Sequence, residues 1–395
     1  MKPLLFVAFL VCINFVGAEI TFEKKQLTDK FYGEGVSVGD FNGDGKPDVV
    51  NGPFWYAGPD FAEKHEIYPA EAFEPKGYSN NFQTFCADIN RDGNDDVLIV
   101  TFPGKEAVWF ENPGSGVGEW KRHFVLSPVN NESPLFLDIT GDGQPELICS
   151  QDGFYGYAGP DAKRPELPWT FRRITPQVAG HKYTHGLGIG DVNEDGKMDL
   201  LEKSHWWEQV EGANGQTRWV GHRFQFAGKG GADMFAYDFD GDGDKDLFTS
   251  TNGHGYGIAW FEQIKKDGGK KGWARHWIVG ETEGEGESGV WFSQSHAAQL
   301  VDMDGDGVKD IVTGKRWWAH NGRDPGGNEP AVLYWFQVKR GGESGAAEFI
   351  PHLIDDSSGT GTQFVVTDVN GDGLPDIVIG NKRGTFVFTQ NREAS

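Results

Sequence analysis

Seven times along this chain an aspartate-rich nonapeptide recurs in the same internal order. The copies are DFNGDGKPD from Asp40, DINRDGNDD from Asp88, DITGDGQPE from Asp138, DVNEDGKMD from Asp191, DFDGDGDKD from Asp238, DMDGDGVKD from Asp302 and DVNGDGLPD from Asp368. Their starts lie 47 to 66 residues apart, a spacing that suits an array of supersecondary units rather than isolated turns. A short apolar segment precedes each copy, as at 36–38 or 364–366, and another follows, as at 97–100 or 377–379, so each loop joins two strands. An aromatic third strand comes next, seen in FWYAG from Phe54, VWFENPG from Val108 and IAWFEQ from Ile258.

A fourth element follows in KHEIY from Lys64, WKRHFV from Trp120, WARHWIV from Trp273 and FIPHLI from Phe349, among six copies in all. The seventh copy is missing after the last aromatic strand, GTFVFTQN from Gly384, but residues 20–27, ITFEKKQL, match its pattern. The N-terminal strand is therefore expected to complete the last unit and close a ring, which removes the open sheet edge a linear array would carry. No helical period of 3.6 is sustained anywhere. The expected fold is all-β: a seven-bladed β-propeller with four-stranded blades, spanning residues 19–395 as one domain.

Residues 1–18 read as a signal peptide, with Lys2, an apolar run over 4–16 and a small-residue ending at Gly17-Ala18. The mature chain is expected to begin at Glu19 and to be secreted or periplasmic, and no later stretch is long and apolar enough to span a membrane. Cys86 and Cys149 then remain, both in expected buried strands, and are read as free thiols. Lys and Arg number 36 against 59 Asp and Glu, a formal charge of −23 that argues against a nucleic-acid partner and for bound cations.

In each loop, side-chain oxygens at positions 1, 3, 5 and 9 with a backbone carbonyl at 7 can surround a hard cation, and Gly at position 6 permits the sharp turn. The expected Ca²⁺ ligands are Asp40, Asn42, Asp44 and Asp48 in the first loop and Asp88, Asn90, Asp92 and Asp96 in the second. Asp138, Asp142 and Glu146 serve the third, where Thr140 weakens position 3, and Asp191, Asn193, Asp195 and Asp199 the fourth. The rest supply Asp238, Asp240, Asp242 and Asp246, then Asp302, Asp304, Asp306 and Asp310, then Asp368, Asn370, Asp372 and Asp376. An EF-hand would need Glu at position 12, which only Glu202 supplies. These loops resemble the FG-GAP or VCBS repeats of propellers such as the integrin α-subunit head. The resemblance implies structural calcium, about one ion per blade, but not an activity, since one fold hosts many.

Strand parity puts the calcium loops on one face and the longest insertions, 280–295 and 317–330, on the other. Inserted loops on a rigid ring are where binding usually resides. Counting back from the first Asp of each loop, His185 and His296 stand six places upstream and Gln83, Asp233 and Gln363 five. The second strands end at Lys203, His205, His254, Lys315, Arg316 and Lys382, and Tyr183, Trp291 and Trp318 lie close by in the chain. His205 and Lys203 are read mainly as solvated or backbone-bonded residues. His185 and His296 could hold Zn²⁺ with His254 or Asp233, or one could act as a general base beside Lys315 or Arg316 stabilising an enolate.

A second resemblance bears on this. The segments FCADINRDGNDDV, WFENPG and SHAAQLVDMDGDG look like the propeller part of fungal aldos-2-ulose dehydratase. It implies elimination of water from oxidised sugars at a metal site in the propeller, with His296 and then His185 as the matching positions. The cupin domains that follow that propeller have no counterpart in this sequence. Three readings result: a propeller binding a carbohydrate or related polar ligand on its insertion-rich face, a carbon–oxygen lyase (a sugar dehydratase), or a protein-interaction platform. Nucleophile, phosphate-loop and nicotinamide motifs are absent from the sequence.

Overall fold

The computed structural model describes residues 19–231, 233–266, 270–341 and 346–393, so the expected signal peptide at 1–18 lies outside the described residues. Those residues form 27 strands and one short 3₁₀ turn, Ala319–Gly322. The chain is all-β and is built almost wholly of antiparallel four-strand sets. Second strands such as Asp96–Val100 and Asp310–Gly314 are buried along their whole length, which is why they read as continuous apolar runs rather than alternating ones.

Neighbouring sets are tied in three ways. Strand Lys121–Leu137 serves two sets: its first half pairs with Lys105–Glu111 and its second half with Glu146–Gln151. Leu187–Gly190 pairs parallel to Asp233–Tyr237 and joins two sets into an eight-stranded sheet. Strand Glu19–Thr28 pairs antiparallel with Gly384–Glu393, placing the N-terminal strand in the sheet that holds the C-terminal ones.

Third and fourth strands share a repeated aromatic device. Trp55, Trp109, Trp206, Trp260 and Trp335 stack on their direct cross-strand partners His65, His123, His222, His276 and His352 at 4.0–4.5 Å. Such cross-strand pairs hold register and bury one face of each indole against its imidazole. In three copies the same histidine also meets a glutamate, Glu111, Glu208 or Glu262, at 2.7–2.8 Å. Cys86 and Cys149 are free thiols, and burial pushes both above the ordinary thiol range. No described helix is long and apolar enough to cross a membrane.

Candidate metal centre

The seven acidic loops share one geometry. Position 6 is a glycine with φ between 78° and 97° in every copy, left-handed backbone that a side chain would strain. In the first loop the Asp40 carboxylate accepts N–H groups from Gly43 at 2.8 Å and Gly45 at 2.8 Å, curling the loop around it. The carboxylate at position 9 is buried and works as a clamp. Asp48 accepts from Phe41 and Gly58, Asp96 from Ile89 and Asn112, Asp310 from Met303 and Val338, in each case linking its own loop to the third strand. Asp199, Asp246 and Asp376 repeat the pattern. Glu146 departs from it: one oxygen accepts from Ile139, and the other from the Thr140 hydroxyl at 2.9 Å.

Burial, with the neighbouring loop aspartates, pushes Asp96, Asp199, Asp246 and Asp310 up to about 7. A hard cation would relieve that repulsion, and the donor sets fit one. Carboxylate oxygens of Asp238, Asp240 and Asp246, of Asp302, Asp304 and Asp306, and of Asp138, Asp142 and Glu146 converge within 4.8 Å of one another. The third loop, weakened by Thr140, thus gathers its carboxylates as the fifth and sixth do.

On the opposite face a second and chemically different cluster forms. Imidazole nitrogens of His185, His254 and His296 and a carboxylate oxygen of Glu132 all lie within 4.8 Å of one another. Ring centroids are 4.9 Å apart for His185 and His254, 5.3 Å for His185 and His296, and 4.7 Å for His254 and His296. The outer nitrogens are already committed. His296 Nδ1 lies 3.2 Å from the Gln294 carbonyl and His254 Nδ1 3.0 Å from the Asp324 carboxylate, contacts that call for a proton on Nδ1 and leave Nε2 with its lone pair. His296 Nε2 is buried without a hydrogen-bond partner, and His185 Nε2 lies 3.3 Å from Glu132 without hydrogen-bond alignment. A close backbone approach makes room: a Cβ on Gly253 would sit 3.0 Å from His185 Cδ2.

Burial, reinforced by the surrounding cationic side chains, lowers His254 to about 4 and takes His296 well below the ordinary imidazole range. Burial alone would raise Glu132, but His185, Arg316 and His254 outweigh it and hold the carboxyl at about 2. Neutral imidazoles at His254 and His296 facing an ionised Glu132 are in the protonation states in which such groups bind a metal. The donor set, three nitrogens and one oxygen with second partners on two rings, fits zinc or a similar divalent ion.

The register rule places Glu132 as well. It stands six residues before Asp138, as His185 and His296 stand before Asp191 and Asp302, and Glu34 occupies that position before Asp40. Glu34 and Glu132 flank Arg316, at 2.8 Å and 3.2 Å from its guanidinium. Arg316 is 2% exposed and packs over Phe82, so it is not free to stabilise an enolate as the sequence suggested. It holds Glu132 instead. Lys315 is likewise turned away from the histidines, donating to the Gly326 and Glu329 carbonyls of the 317–330 insertion.

Glu132, His185 and His254 of the cluster form one wall of a cavity of about 480 Å³, also lined by Tyr78, Tyr183, Lys203, Lys229 and His320, with His296 behind them. His320 lies over His254, ring centroids 4.5 Å apart, with Nδ1 3.0 Å from Asp324. Lys382 sits behind Tyr78, its ammonium 4.3 Å from the ring, and burial lowers it to about 8. The Trp318 carbonyl lies 3.5 Å from Lys382 Nζ and Trp291 stacks on Tyr256 at 3.9 Å, and neither tryptophan is among the residues lining the cavity. His205 pairs with Glu202 at 2.8 Å, apart from the metal cluster.

Gln83, Asp233 and Gln363 do not reach the histidines. They line a separate cavity of about 270 Å³ to which the first strand of every repeat contributes. There Gln363 Oε1 accepts the Val36 and Thr84 amides, tying three repeats together, and Asp233 accepts the Ala298 amide at 3.0 Å. Asp233 therefore cannot complete the cluster, and Glu132 takes that place. Another cavity, of about 630 Å³, lies beside Tyr68, Phe110 and Arg122 and shares no lining residue with the metal cluster.

Family comparison agrees with the repeats. Residues 88–149 match the family described as FG-GAP-like repeat, and residues 32–52 and 360–393 match FG-GAP repeat. A search of curated proteins finds no match for the sequence. Among solved structures, BBS1N in complex with ARL6DN is similar at TM-score 0.51 and 9% identity, covering 96% of this chain and 99% of that one. Rhamnogalacturonan lyase YesW aligns at TM-score 0.42 and 13% identity over 93% of this chain and 72% of its own. A Photorhabdus luminescens Tc holotoxin pore chain aligns at TM-score 0.39 and 16% identity over 78% of this chain, which spans only 14% of that one. At 9% identity the likeness to BBS1N speaks to the fold alone.

Proposed function

We propose that this FG-GAP repeat β-propeller protein is an exported, calcium-stabilised, metal-dependent carbon–oxygen lyase acting on an oxidised sugar at the mouth beside His185, His254 and His296. The supporting observation is the convergence of three imidazole nitrogens and one carboxylate in a buried pocket that opens into a ligand-sized cavity. Four-strand sets, the shared strand Lys121–Leu137 and the pairing of Glu19–Thr28 with Gly384–Glu393 support seven blades in a ring closed by the N-terminal strand. In that architecture the acidic loops hold about one Ca²⁺ per blade and the insertions surround the mouth.

A divalent ion on His185, His254, His296 and Glu132 would supply Lewis acidity toward a carbonyl oxygen of the ligand. His320 is the base of this reading, since its Nδ1 is held by Asp324 and its ring borders the cavity. It takes the proton from the carbon next to the carbonyl. A carbon–carbon double bond forms, the C–O bond one carbon further on breaks, and the hydroxyl leaves as water after recovering that proton from His320. Nothing is oxidised or reduced.

Elemental analysis of protein dialysed free of loose ions tests this reading, with His296→Ala alongside. The expected result is about one zinc-like ion per chain, lost in the variant while about one calcium per acidic loop remains. Near-ultraviolet absorbance from an unsaturated carbonyl product should then appear with the wild type and an oxidised sugar, and not with His320→Ala. Calcium alone, with no second metal, overturns the metal-dependent reading; metal without elimination leaves a binding protein.

A further inference from the structure

Charge at the mouth runs against the charge of the chain. The sequence carries 59 acidic against 36 basic residues, so a cavity lined at random would hold more carboxylates than cations. Of the thirteen residues lining the 480 Å³ cavity, three are Lys or Arg, four are His and one is acidic. That one is Glu132, already placed between Arg316 and His185. No carboxylate of the lining is left for Lys203 or Lys229, and among the described residues neither ammonium has an ion-pair partner.

Both lysines are set by their backbones rather than left on a loose loop. The Lys203 carbonyl accepts the amides of Phe226 at 2.9 Å and Ala227 at 3.0 Å, which fixes its main chain at the cavity edge. Lys229 precedes Gly230, whose φ of 83° turns the chain against His185: a Cβ there would lie 2.6 Å from the His185 carbonyl oxygen. The Gly230 carbonyl in turn accepts the Gly253 amide at 2.8 Å, so the segment bearing Lys229 is tied to the backbone around the metal cluster. Tyr183, 38% exposed, adds an aromatic surface on which a sugar ring can rest.

We infer that the ligand is a sugar acid, its carboxylate met by Lys203 and Lys229 while its other oxygens face the histidine cluster. This rests on the metal-site reading above and adds the substrate class. Two ammonium groups without protein counter-ions, at the edge of a partly enclosed cavity, attract an anion more strongly than they would in open solvent. In a chain of net negative charge they also distinguish an acidic sugar from a neutral one of the same shape.

Calorimetric titration of the metal-loaded full chain with galacturonate, galactose and galactose 1-phosphate tests the inference, against a Lys203→Gln/Lys229→Gln variant. Galacturonate is expected to bind about tenfold more tightly than galactose at low salt, and more tightly than the phosphate. That preference should shrink to about two- to threefold in the variant and at high salt, with metal content unchanged. Equal affinities for galacturonate and galactose with the metal in place overturn the inference and leave the metal reading standing. So does a galacturonate preference that survives in the variant, or tighter binding of the phosphate ester. A protein that holds no second metal yet prefers galacturonate sinks the metal reading alone.

Discussion

Asp324 lies 3.0 Å from Nδ1 of His254, one of the three imidazoles that converge with Glu132. The same carboxylate accepts the Gln294 amide at 3.0 Å and contacts His320, and its two histidines hold it below the ordinary carboxylate range although burial opposes this. Partners of this kind fix the tautomer and orientation of a metal-binding imidazole. Asp324→Asn should therefore lower zinc affinity by about 10- to 100-fold with little change in calcium content. Competition with a chromophoric chelator measures it, and an unchanged affinity would remove Asp324 from this role.

Arg316 is the centre of a buried ionic triad with Glu34 and Glu132. Arg316→Met would leave two carboxylates buried without a counter-charge, a change that costs about 3–5 kcal/mol. Chemical denaturation should register that loss, and Glu34→Gln in the same chain should recover part of it. If Arg316→Met alone were as stable as the wild type, the triad would not be holding Glu132.

Asp233 carries a pH dependence with a definite sign. Burial raises its folded-state value to about 7, against about 3.9 for an unfolded aspartate. Between those values the folded protein keeps a proton that the unfolded chain has released. Stability from this group is thus fully present below pH ~4 and lost as pH rises toward ~7, with no further change above. Asp233→Asn keeps an acceptor for the Ala298 amide and removes the titration. Relative to wild type the variant should gain about 1–3 kcal/mol on going from pH 4 to pH 8, read as a difference in melting temperature. A difference that does not vary with pH would mean the cavity solvates the charge.

Gly307, position 6 of the sixth acidic loop, has φ 89° and open space where a Cβ would go. The cost of Gly307→Ala is therefore conformational, about 1–2 kcal/mol, rather than steric. Calcium titration followed by thermal melting should show weaker stabilisation by calcium in the variant, with one ion fewer bound at limiting calcium. Chelation of the wild type should lower its melting temperature and abolish the difference in calcium response.

Much of the fold was legible in the primary structure because its signals are local and repeated. The loop nonapeptide, the apolar runs on either side and the aromatic third strand each depend on a few adjacent residues, and the match of residues 20–27 to a missing fourth strand needed only counting. The same counting placed His185 and His296 at one register. It would also have found Glu132 and Glu34, which share the position six residues before the loop but sit in repeats that show no histidine there.

The sequence by itself determined the all-β repeat architecture, the glycine-turned acidic loops and the alignment of His185 with His296, since these follow from backbone geometry repeated at short range. Only the tertiary structure decided which polar residues meet. Residues 132, 185, 254 and 296 come from four repeats, and their convergence depends on how the sheets are disposed around the mouth. His254, His320 and Asp324 belong to connections after second strands, whose paths no periodicity dictates. Arg316 looked available for chemistry in the chain and proved buried between two glutamates, because a cation in that position is stable only where the fold brings carboxylates to it.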